Sequence, residues 1–357
     1  MSSTPSVLVT GANGCIGSWV LKLAVESGWR VVAMDLADTP TRPKLLLDEE
    51  QLANVTWLSA DIGDTEAVKG AIRDTGVEAI VHLGALQVPF CKADPVAGAR
   101  VNVVGTANIM EAVREAGIKR FSFASSVAAH GGADETNPYL GTLYGAYKAA
   151  TEEMARVYWQ DWQVPSVVLR PGVVYGVGRD QGMTSAPTKA MLAAVVGRSY
   201  TIPFGGNAAF LYTSDIAGAF LKSVESDIAG CHVFDLNGEC RAVAEVVGLI
   251  RAEVPAADVK IDGDELPFPP DISDKPVRDF LGGYDKTSLE DGVRQTIAGF
   301  KRLAGTGSLD LSQLDRYSVC EPAKSSLGAA PSRLRAWPSP IRPDSAQFVM
   351  AVTGKSP

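Results

Sequence analysis

Short apolar runs rich in β-branched residues alternate with helix-periodic stretches through residues 6 to 125 of this chain. This alternation predicts parallel strands joined by helices that cover both faces of one sheet. The predicted strands are 7–10, 30–35, 55–60, 79–83, 120–124 and 164–170, and the helical stretches begin near Gly14, Asp64, Asp94 and Leu143. The pattern therefore predicts a doubly wound α/β fold.

The pattern loosens after residue 170. Glycine and proline become frequent between residues 171 and 210, residues 231–236 are typical of another strand, and residues 261–280 contain four prolines. Proline disfavours regular elements because it lacks a backbone N–H. We expect residues 1–170 to form the core of the fold. Residues 171–314 are expected to form mainly a smaller C-terminal lobe over the strand ends, with some elements returning to the sheet.

The last 43 residues differ in composition from the rest. Residues 315–357 contain six prolines and seven serines, and their net charge is +3 although the whole chain carries −8. Such a segment buries too little apolar surface to offset the entropy lost on ordering. The composition predicts a disordered tail, to which we assign no chemistry.

Composition and spacing exclude several functional classes. A net charge of −8 disfavours a nucleic-acid partner, because the phosphates would be repelled. No window approaches the roughly 18 to 20 apolar residues of a membrane span, and residues 1–5 lack the features of a signal peptide, so we expect a cytoplasmic protein with no membrane partner. The five cysteines and three histidines are scattered. They predict neither a disulfide framework nor a metal site.

Three glycines, Gly11, Gly14 and Gly17, lie between the first predicted strand and the first helix. Glycine there permits a tight turn and close approach of a pyrophosphate to the helix N-terminus. Asp35 ends the second strand, where a carboxylate can bind an adenosine ribose and would repel a 2′-phosphate. Asp61 and Ile62, after the third strand, could meet the adenine. These residues predict a dinucleotide site for NAD rather than NADP.

Tyr144 and Lys148 are spaced to share one face of a helix. Hydride transfer from a secondary alcohol needs a base for the hydroxyl proton and a donor that holds the oxygen. A free phenol has a pKa of about 10, so we expect the Lys148 ammonium to make Tyr144 more acidic and also to reach the cofactor ribose. Ser126, which follows the fifth strand, would hold the substrate oxygen.

These features together resemble the extended short-chain dehydrogenase/reductase superfamily, the NAD-dependent epimerase/dehydratase group, over roughly residues 6–300. The resemblance rests on the segments 10–17, 82–85, 102–106, 144–148 and 170–172, and on Ser125, Ser126 and Gly131. It implies a Rossmann fold with Ser126, Tyr144 and Lys148 as catalytic residues. It further implies cofactor contacts at Asn13, Cys15, Ile16, Leu83, Gly84, Ala85, Asn102, Ala124, Tyr144, Lys148, Pro171, Gly172 and Val173.

The chain departs from its sugar-nucleotide relatives at three places. Val127 and Ala128 follow Ser126 where dehydratases carry an acidic pair, so dehydration is not expected. Residues 208–210 are Ala-Ala-Phe, where an arginine commonly holds the diphosphate of a nucleotide sugar, and Gly172 replaces an asparagine. A diphosphate would lose its fork-shaped donor there. These departures favour a small, non-nucleotide substrate.

Candidate substrate contacts come from loops after the strands. Besides Ser126 and Tyr144 they are Gln87, Phe90, His130, Arg179, Asp180, Gln181, Thr184, Ser185 and Lys189. The loop 176–182 could close over a polyol, sugar acid or hydroxy-ketone, or it could be a solvated connector. His82 and His232 are expected to be structural, and Tyr147 to be a packing residue.

Three functions remain open. The first is an NAD-dependent dehydrogenase of a small polar secondary alcohol or ketone. The second is a sugar or sugar-nucleotide epimerase that retains its cofactor. The third is a non-catalytic NAD(H) sensor, which the intact Ser126, Tyr144 and Lys148 disfavour. The apolar residues Ala149, Ala150, Met154 and Val157 are compatible with a homodimer paired through the helix that carries Tyr144.

Overall fold

The computed structural model describes residues 4–130, 141–266 and 269–315. The strands are β1 (Ser6–Thr10), β2 (Arg30–Asp35), β3 (Val55–Ser59), β4 (Ala79–His82), β5 (Arg120–Ala124), β6 (Ser166–Pro171), β7 (Val173–Tyr175), β8 (Tyr200–Ile202), β9 (Asn207–Tyr212), β10 (Cys231–Leu236), β11 (Glu239–Ala242) and β12 (Val259–Ile261). The helices are α1 (Cys15–Glu26), α2 (Glu49–Ala53), α3 (Thr65–Thr75), α4 (Val88–Ala93), α5 (Pro95–Ala99), α6 (Thr106–Ala116), α7 (Leu143–Trp162), α8 (Ala186–Val195), α9 (Thr213–Lys222), α10 (Val243–Glu253), α11 (Lys275–Leu281) and α12 (Leu289–Gly305). Short 3-10 helices cover Pro43–Leu45, Val127–His130, Met183–Ser185 and Leu311–Leu314, and a π-helical turn covers Arg100–Gly105. Gly131 and residues 316–357, nearly all of the predicted tail, lie outside the described residues.

The main sheet has seven parallel strands in the order β10-β6-β5-β4-β1-β2-β3. The chain runs outward from β1 through β2 and β3, then crosses to β4 on the other side of β1. At such a reversal the carboxyl ends of the strands leave a crevice, which is where doubly wound sheets bind ligands. The predicted doubly wound Rossmann fold is confirmed, and all seven predicted strands, including the one at 231–236, belong to this sheet.

The strands are apolar on both faces because helices cover both sides of the sheet. In β1, Leu8 belongs to one buried cluster, whereas Val7 and Val9 belong to the cluster on the opposite face. All three side chains are fully buried. Side chains alternate between the faces of a strand, so a sheet covered twice needs near-continuous apolar runs. These runs are the signal that made the strands predictable.

The C-terminal lobe contains a three-stranded sheet, in the order β11-β9-β7, and a parallel β8–β12 pair. Helices α8, α10 and α12 pack together beside them. The C-terminal half of the chain also contributes a strand to the main sheet. This strand, β10, pairs with β6 from Cys231 opposite Ser166 to Leu236 opposite Pro171. The sequence analysis did not predict α10 or α12.

One polar contact ties α1 to the lobe. The indole Nε1 of Trp19 donates a hydrogen bond to the carbonyl of Val177 at 2.9 Å, and the Trp19 ring meets that of Tyr212 edge-on with centroids 5.8 Å apart. Helix α1 also packs along α9. The helix that follows the glycine turn is therefore held against the lobe. No helix in the described part of the chain is long and apolar enough to cross a bilayer.

Candidate functional site

A cavity of about 450 Å³ opens at the carboxyl ends of the strands, between β1 and β4. Ligand pockets typically measure roughly 300 to 1,000 Å³. The predicted site residues that line it are Gly11, Asn13, Gly14, Cys15, Ile16, Gly17, Asp35, Asp61, Ile62, Leu83, Gly84, Ala85, Gln87, Ala124, Ser126, Tyr144, Lys148, Pro171, Gly172, Val173 and Arg179. Asp180, Gln181 and Thr184 line it as well.

Five predicted contacts do not line this cavity: Asn102, His130, Phe90, Ser185 and Lys189. The amide of Asn102 is fully buried and holds the loop after β4, accepting from the N–H of Leu86 at 2.7 Å and donating to its carbonyl at 2.9 Å. His130 Nε2 lies 2.5 Å from the carboxylate of Asp235 and 3.3 Å from the guanidinium of Arg170. Asn102 therefore supports the cavity wall from behind, and His130 belongs to a separate polar cluster.

The glycine turn is packed too tightly for side chains. A Cβ at Gly17 would lie 2.3 Å from the carbonyl oxygen of Gly11, and a Cβ at Gly11 would lie 2.7 Å from the N of Gly84. Gly11 also has a left-handed φ of +66°. The N-cap residue of α1, Gly14, has no side chain that caps the helix. The first amides of α1 thus face the cavity with the partial positive charge that suits a diphosphate.

Polar groups around the end of β2 complete this half of the cavity. The carboxylate of Asp35 accepts from the N–H of Asn13 at 2.9 Å, which fixes it beside the glycine turn. Asn13 in turn holds the following loop, since its Oδ1 accepts from the N–H of Thr41 at 3.0 Å. A carboxylate at this place is suited to the hydroxyls of an adenosine ribose. The uncapped helix, the glycine turn and Asp35 together fit NAD.

Tyr144 and Ser126 meet in the same cavity. Burial raises the pKa of Tyr144 above its usual 10, and the nearby Ser126 side chain offsets part of that rise. Helix α7 begins here because Thr142 caps it, its Oγ1 accepting from the N–H of Gly145 at 3.0 Å. The first turn of α7 therefore delivers the phenol to Ser126.

Lys148 lies behind Tyr144, on the same face of α7. Its Nζ is 5.8 Å from the centre of the Tyr144 ring and donates to the carbonyl of Ala124 at 2.6 Å. Burial lowers the pKa of Lys148 to about 8. The structure thus places the pair as predicted but does not show a more acidic phenol, because burial opposes charge on both groups.

Arg42 and Asn237 are among the cavity residues that the sequence analysis did not predict. Arg42 donates to the carbonyl of Asn13 at 2.8 Å and to the carboxylate of Asp180 at 2.7 and 2.9 Å, so it joins the glycine turn to the lobe. Asn237 follows β10, and its Oδ1 lies 2.8 Å from where a Cβ of Gly172 would be. It therefore fills the space that an asparagine at 172 would need. Neither residue belongs to a motif, so no local signal marked them.

His82 ends β4 and makes the stability of the fold dependent on pH. Its ring nitrogens lie 2.6 Å from Thr10 Oγ1 and 3.1 Å from Thr106 Oγ1, and burial lowers the pKa of His82 to about 3. The folded state therefore keeps the ring neutral, whereas the unfolded chain binds a proton below about pH 6.5. The stability that this group contributes is complete above about pH 6.5 and falls as the pH drops from there towards 3.

We expect protonation of His82 in the unfolded chain to lower the free energy of unfolding by about 2 to 3 kcal/mol as the pH falls from about 7.5 to 4.5. Urea unfolding of the wild type and of His82→Asn at several pH values measures it. The asparagine can replace the Nδ1 contact but does not titrate, so the variant should lose less stability in acid by this amount. Equal losses in the two proteins would show that His82 is not the group responsible.

Comparison with known proteins agrees with this geometry. The model of the NAD dependent epimerase/dehydratase family matches residues 7–235. The dTDP-D-glucose 4,6-dehydratase of Mus musculus is 26% identical, covering 83% of this chain and 88% of that protein. The UDP-glucose 4-epimerase of Azospirillum brasilense is 28% identical, covering 84% and 93%. The NAD complex of UDP-glucose 4-epimerase from Thermus thermophilus superposes with a TM-score of 0.70 at 26% identity, covering 83% of this chain and 99% of that one. The chain therefore belongs to the NAD dependent epimerase/dehydratase family, and it is an NAD-dependent enzyme of the short-chain dehydrogenase/reductase superfamily.

Proposed function

We propose that this enzyme transfers hydride between NAD and a small polar secondary alcohol or ketone, such as a polyol, sugar or sugar acid, with Tyr144 as general base and acid. The observation that carries the proposal is that Ser126 and Tyr144 line the same cavity as the glycine turn, with the Ser126 side chain close enough to lower the phenol's pKa. A surface Tyr-x-x-x-Lys pair would lack both this neighbour and this enclosure.

The residues divide the chemistry as follows. Bound NAD supplies the carbon that accepts the hydride from the substrate, or returns it. In the oxidation direction, Tyr144 Oη takes the hydroxyl proton while the C–H electron pair leaves as hydride, and a carbonyl remains. Ser126 Oγ donates a hydrogen bond to the reacting oxygen. Lys148, charged below about pH 8, shares a face of α7 with Tyr144, and its charge would offset part of the cost of a buried phenolate.

The lobe side of the cavity supports a substrate without a diphosphate. Ala208 and Ala209 in β9 line the cavity and are buried, so this strand offers no cation, and the lobe's cation in the lining is Arg179, in the loop after β7. A phosphate group packed against β9 would have to lose water without gaining an ion pair from this strand. A small substrate without a diphosphate fits this wall better. Such an enzyme would exchange its cofactor with free NAD and NADH at each turnover.

The second candidate is an NAD-dependent sugar or sugar-nucleotide epimerase with retained cofactor. The UDP-glucose 4-epimerase relatives favour it, because the match extends over most of both chains. Such an enzyme would use the same Tyr144 but return the hydride to the other face of the ketone. The two candidates differ in whether NADH appears as a net product.

Incubation with NAD and a panel of alcohols distinguishes the candidates. Polyols, sugar acids and UDP-glucose are added singly, NADH absorbance is followed, and the sugars are separated afterwards. We expect net NADH with at least one non-nucleotide substrate. Interconversion of UDP-sugars without net NADH would favour the epimerase, and tight NAD binding with neither change would favour a sensor and overturn the proposal.

The assembly we propose is a homodimer formed through the outer face of α7. Ala150, Met154, Val157 and Trp162 form an apolar hollow there, and Val157 and Trp162 are about half exposed. Sedimentation equilibrium of the wild type and of Val157→Lys would measure this contact, which the charged variant should weaken.

A further inference from the structure

The cavity contains a buried cation whose donors are incompletely used. Arg179 donates from Nη2 to Thr184 Oγ1 at 3.1 Å, but its Nε is buried and has no hydrogen-bond partner among the described residues. The adjacent carboxylate, Asp180, is held by Arg42 instead. A guanidinium keeps its charge at any ordinary pH, and a buried donor without an acceptor is costly. The arrangement suits an anionic ligand.

A second unsatisfied group lies beside it. The Oε1 of Gln87 is buried and also has no partner among the described residues. A Cβ at Gly182 would lie 2.3 Å from this oxygen and 3.2 Å from Nη2 of Arg179. Gly182 also has a left-handed φ of +92°. The glycine thus lets the loop approach both Gln87 and Arg179, and both residues line the cavity.

This space adjoins the proposed catalytic groups. Gln87, Arg179, Ser126 and Tyr144 line the same cavity, and the charge of Arg179 is close enough to lower the pKa of the Tyr144 phenol. A ligand in contact with Tyr144 can therefore reach the guanidinium as well. An oxygen acceptor on Gln87 requires a donor from the ligand, which a hydroxyl supplies.

We propose that the substrate is a polyhydroxy acid, bound with its carboxylate on Arg179 and one hydroxyl on Gln87, while a neighbouring hydroxyl is oxidised at Tyr144. This inference rests on the proposed function and narrows its substrate class. The carbon that reacts loses a hydride to NAD and its hydroxyl loses a proton to Tyr144, whereas the carboxylate is unchanged. The other anion that could pair with Arg179 is the cofactor diphosphate, and the experiment separates the two.

The test compares acids with neutral alcohols of the same carbon skeleton. D-Gluconate and D-glucitol, D-galactonate and galactitol, and L-threonate and L-threitol are assayed for NADH formation with wild type and Arg179→Gln. We expect the wild type to favour at least one acid by about 10- to 100-fold in kcat/KM, the effect of a charge-assisted hydrogen bond. Arg179→Gln should remove this preference through KM and leave NADH affinity, measured by fluorescence titration, unchanged. Arg73→Gln, at the exposed end of α3, is the matched control and should behave as wild type.

Two outcomes would overturn the inference. One is equal use of acids and alcohols by the wild type. The other is an Arg179→Gln protein that loses NADH affinity and serves both substrate classes equally poorly, which would assign the guanidinium to the cofactor. If no probe is oxidised, the proposed function fails separately. Thermal shifts of the NADH-saturated protein then test the inference. An acid that raises the melting temperature of the wild type but not of Arg179→Gln supports it, and no rise with any acid refutes it.

Discussion

Replacement of Tyr144 by phenylalanine is expected to lower kcat about 10²- to 10⁴-fold, the usual contribution of a positioned acid or base. The phenylalanine ring fills the same space, so the cavity and the glycine turn are retained. Only one polar group beside Ser126 is lost, so we expect the free energy of unfolding to fall by only about 1 kcal/mol. NADH affinity, measured by fluorescence titration, should remain that of the wild type while steady-state turnover falls.

Tyr147→Phe is a matched control for this variant, since it lies on the same helix three residues further on. The Tyr147 hydroxyl donates to the carbonyl of Pro95 at 2.9 Å, outside the cavity. Its removal should leave turnover nearly unchanged. Loss of activity in Tyr147→Phe rather than in Tyr144→Phe would transfer the role of base to the other tyrosine, and unchanged turnover in both would reject a tyrosine base.

Gly17→Ala is expected to have the second large effect, on both stability and cofactor binding. The new Cβ would lie 2.3 Å from the Gly11 carbonyl oxygen and 3.0 Å from the Cα of Ala12, and both neighbours are backbone atoms that cannot swing away. Helix α1 must then move off the turn. Overpacking of this kind costs about 1 to 3 kcal/mol or more. We expect urea unfolding at lower concentration and NADH affinity at least about tenfold weaker.

Gly248→Ala separates this clash from a general effect of the substitution. Gly248 lies on the exposed side of α10, and a Cβ there meets no atom within 4 Å. Alanine in a helix interior is favoured over glycine, so this variant should gain about 0.5 to 1 kcal/mol with unchanged NADH affinity. A Gly17→Ala protein as stable and as tightly binding as Gly248→Ala would show that the turn does not need its glycine.

Most of the main sheet could be predicted from the sequence because strands covered on both faces carry continuous apolar runs. The strands of the lobe were harder to predict from the sequence. Strands β8, β11 and β12 are each three or four residues long, and their pairing partners are distant in the chain. Helices α10 and α12 were missed although α12 has a clear capping residue, Ser288, whose Oγ accepts from the N–H of Asp291 at 3.1 Å. Sequence patterns identify helices and strands well only where buried residues recur at a regular spacing.

The candidate site shows the same division. Residues in motifs, such as Gly11, Ser126 and Tyr144, line one cavity, because each follows the carboxyl end of a parallel strand or begins a helix beside one. Arg42 and Asn237 could not be found, since each reaches the cavity through tertiary contacts. Burial was also invisible in the sequence. The expected effect of Lys148 on the phenol ignored desolvation, which raises the pKa of Tyr144 and lowers that of Lys148.

The pairing of β10 with β6 means that the two halves of the chain are not separable modules. A fragment ending near residue 170 would contain the glycine turn and the Tyr144 helix. In this fragment β6 would keep β5 on one side but would lose β10 on the other. Val167, Val168 and Leu169, all fully buried in the intact protein, would then lie along an open strand edge. Exposed apolar edges of this kind recruit strands from other molecules. Half-length fragments are therefore unsuitable for studying cofactor binding in isolation, and engineered fusions or split reporters should be joined elsewhere.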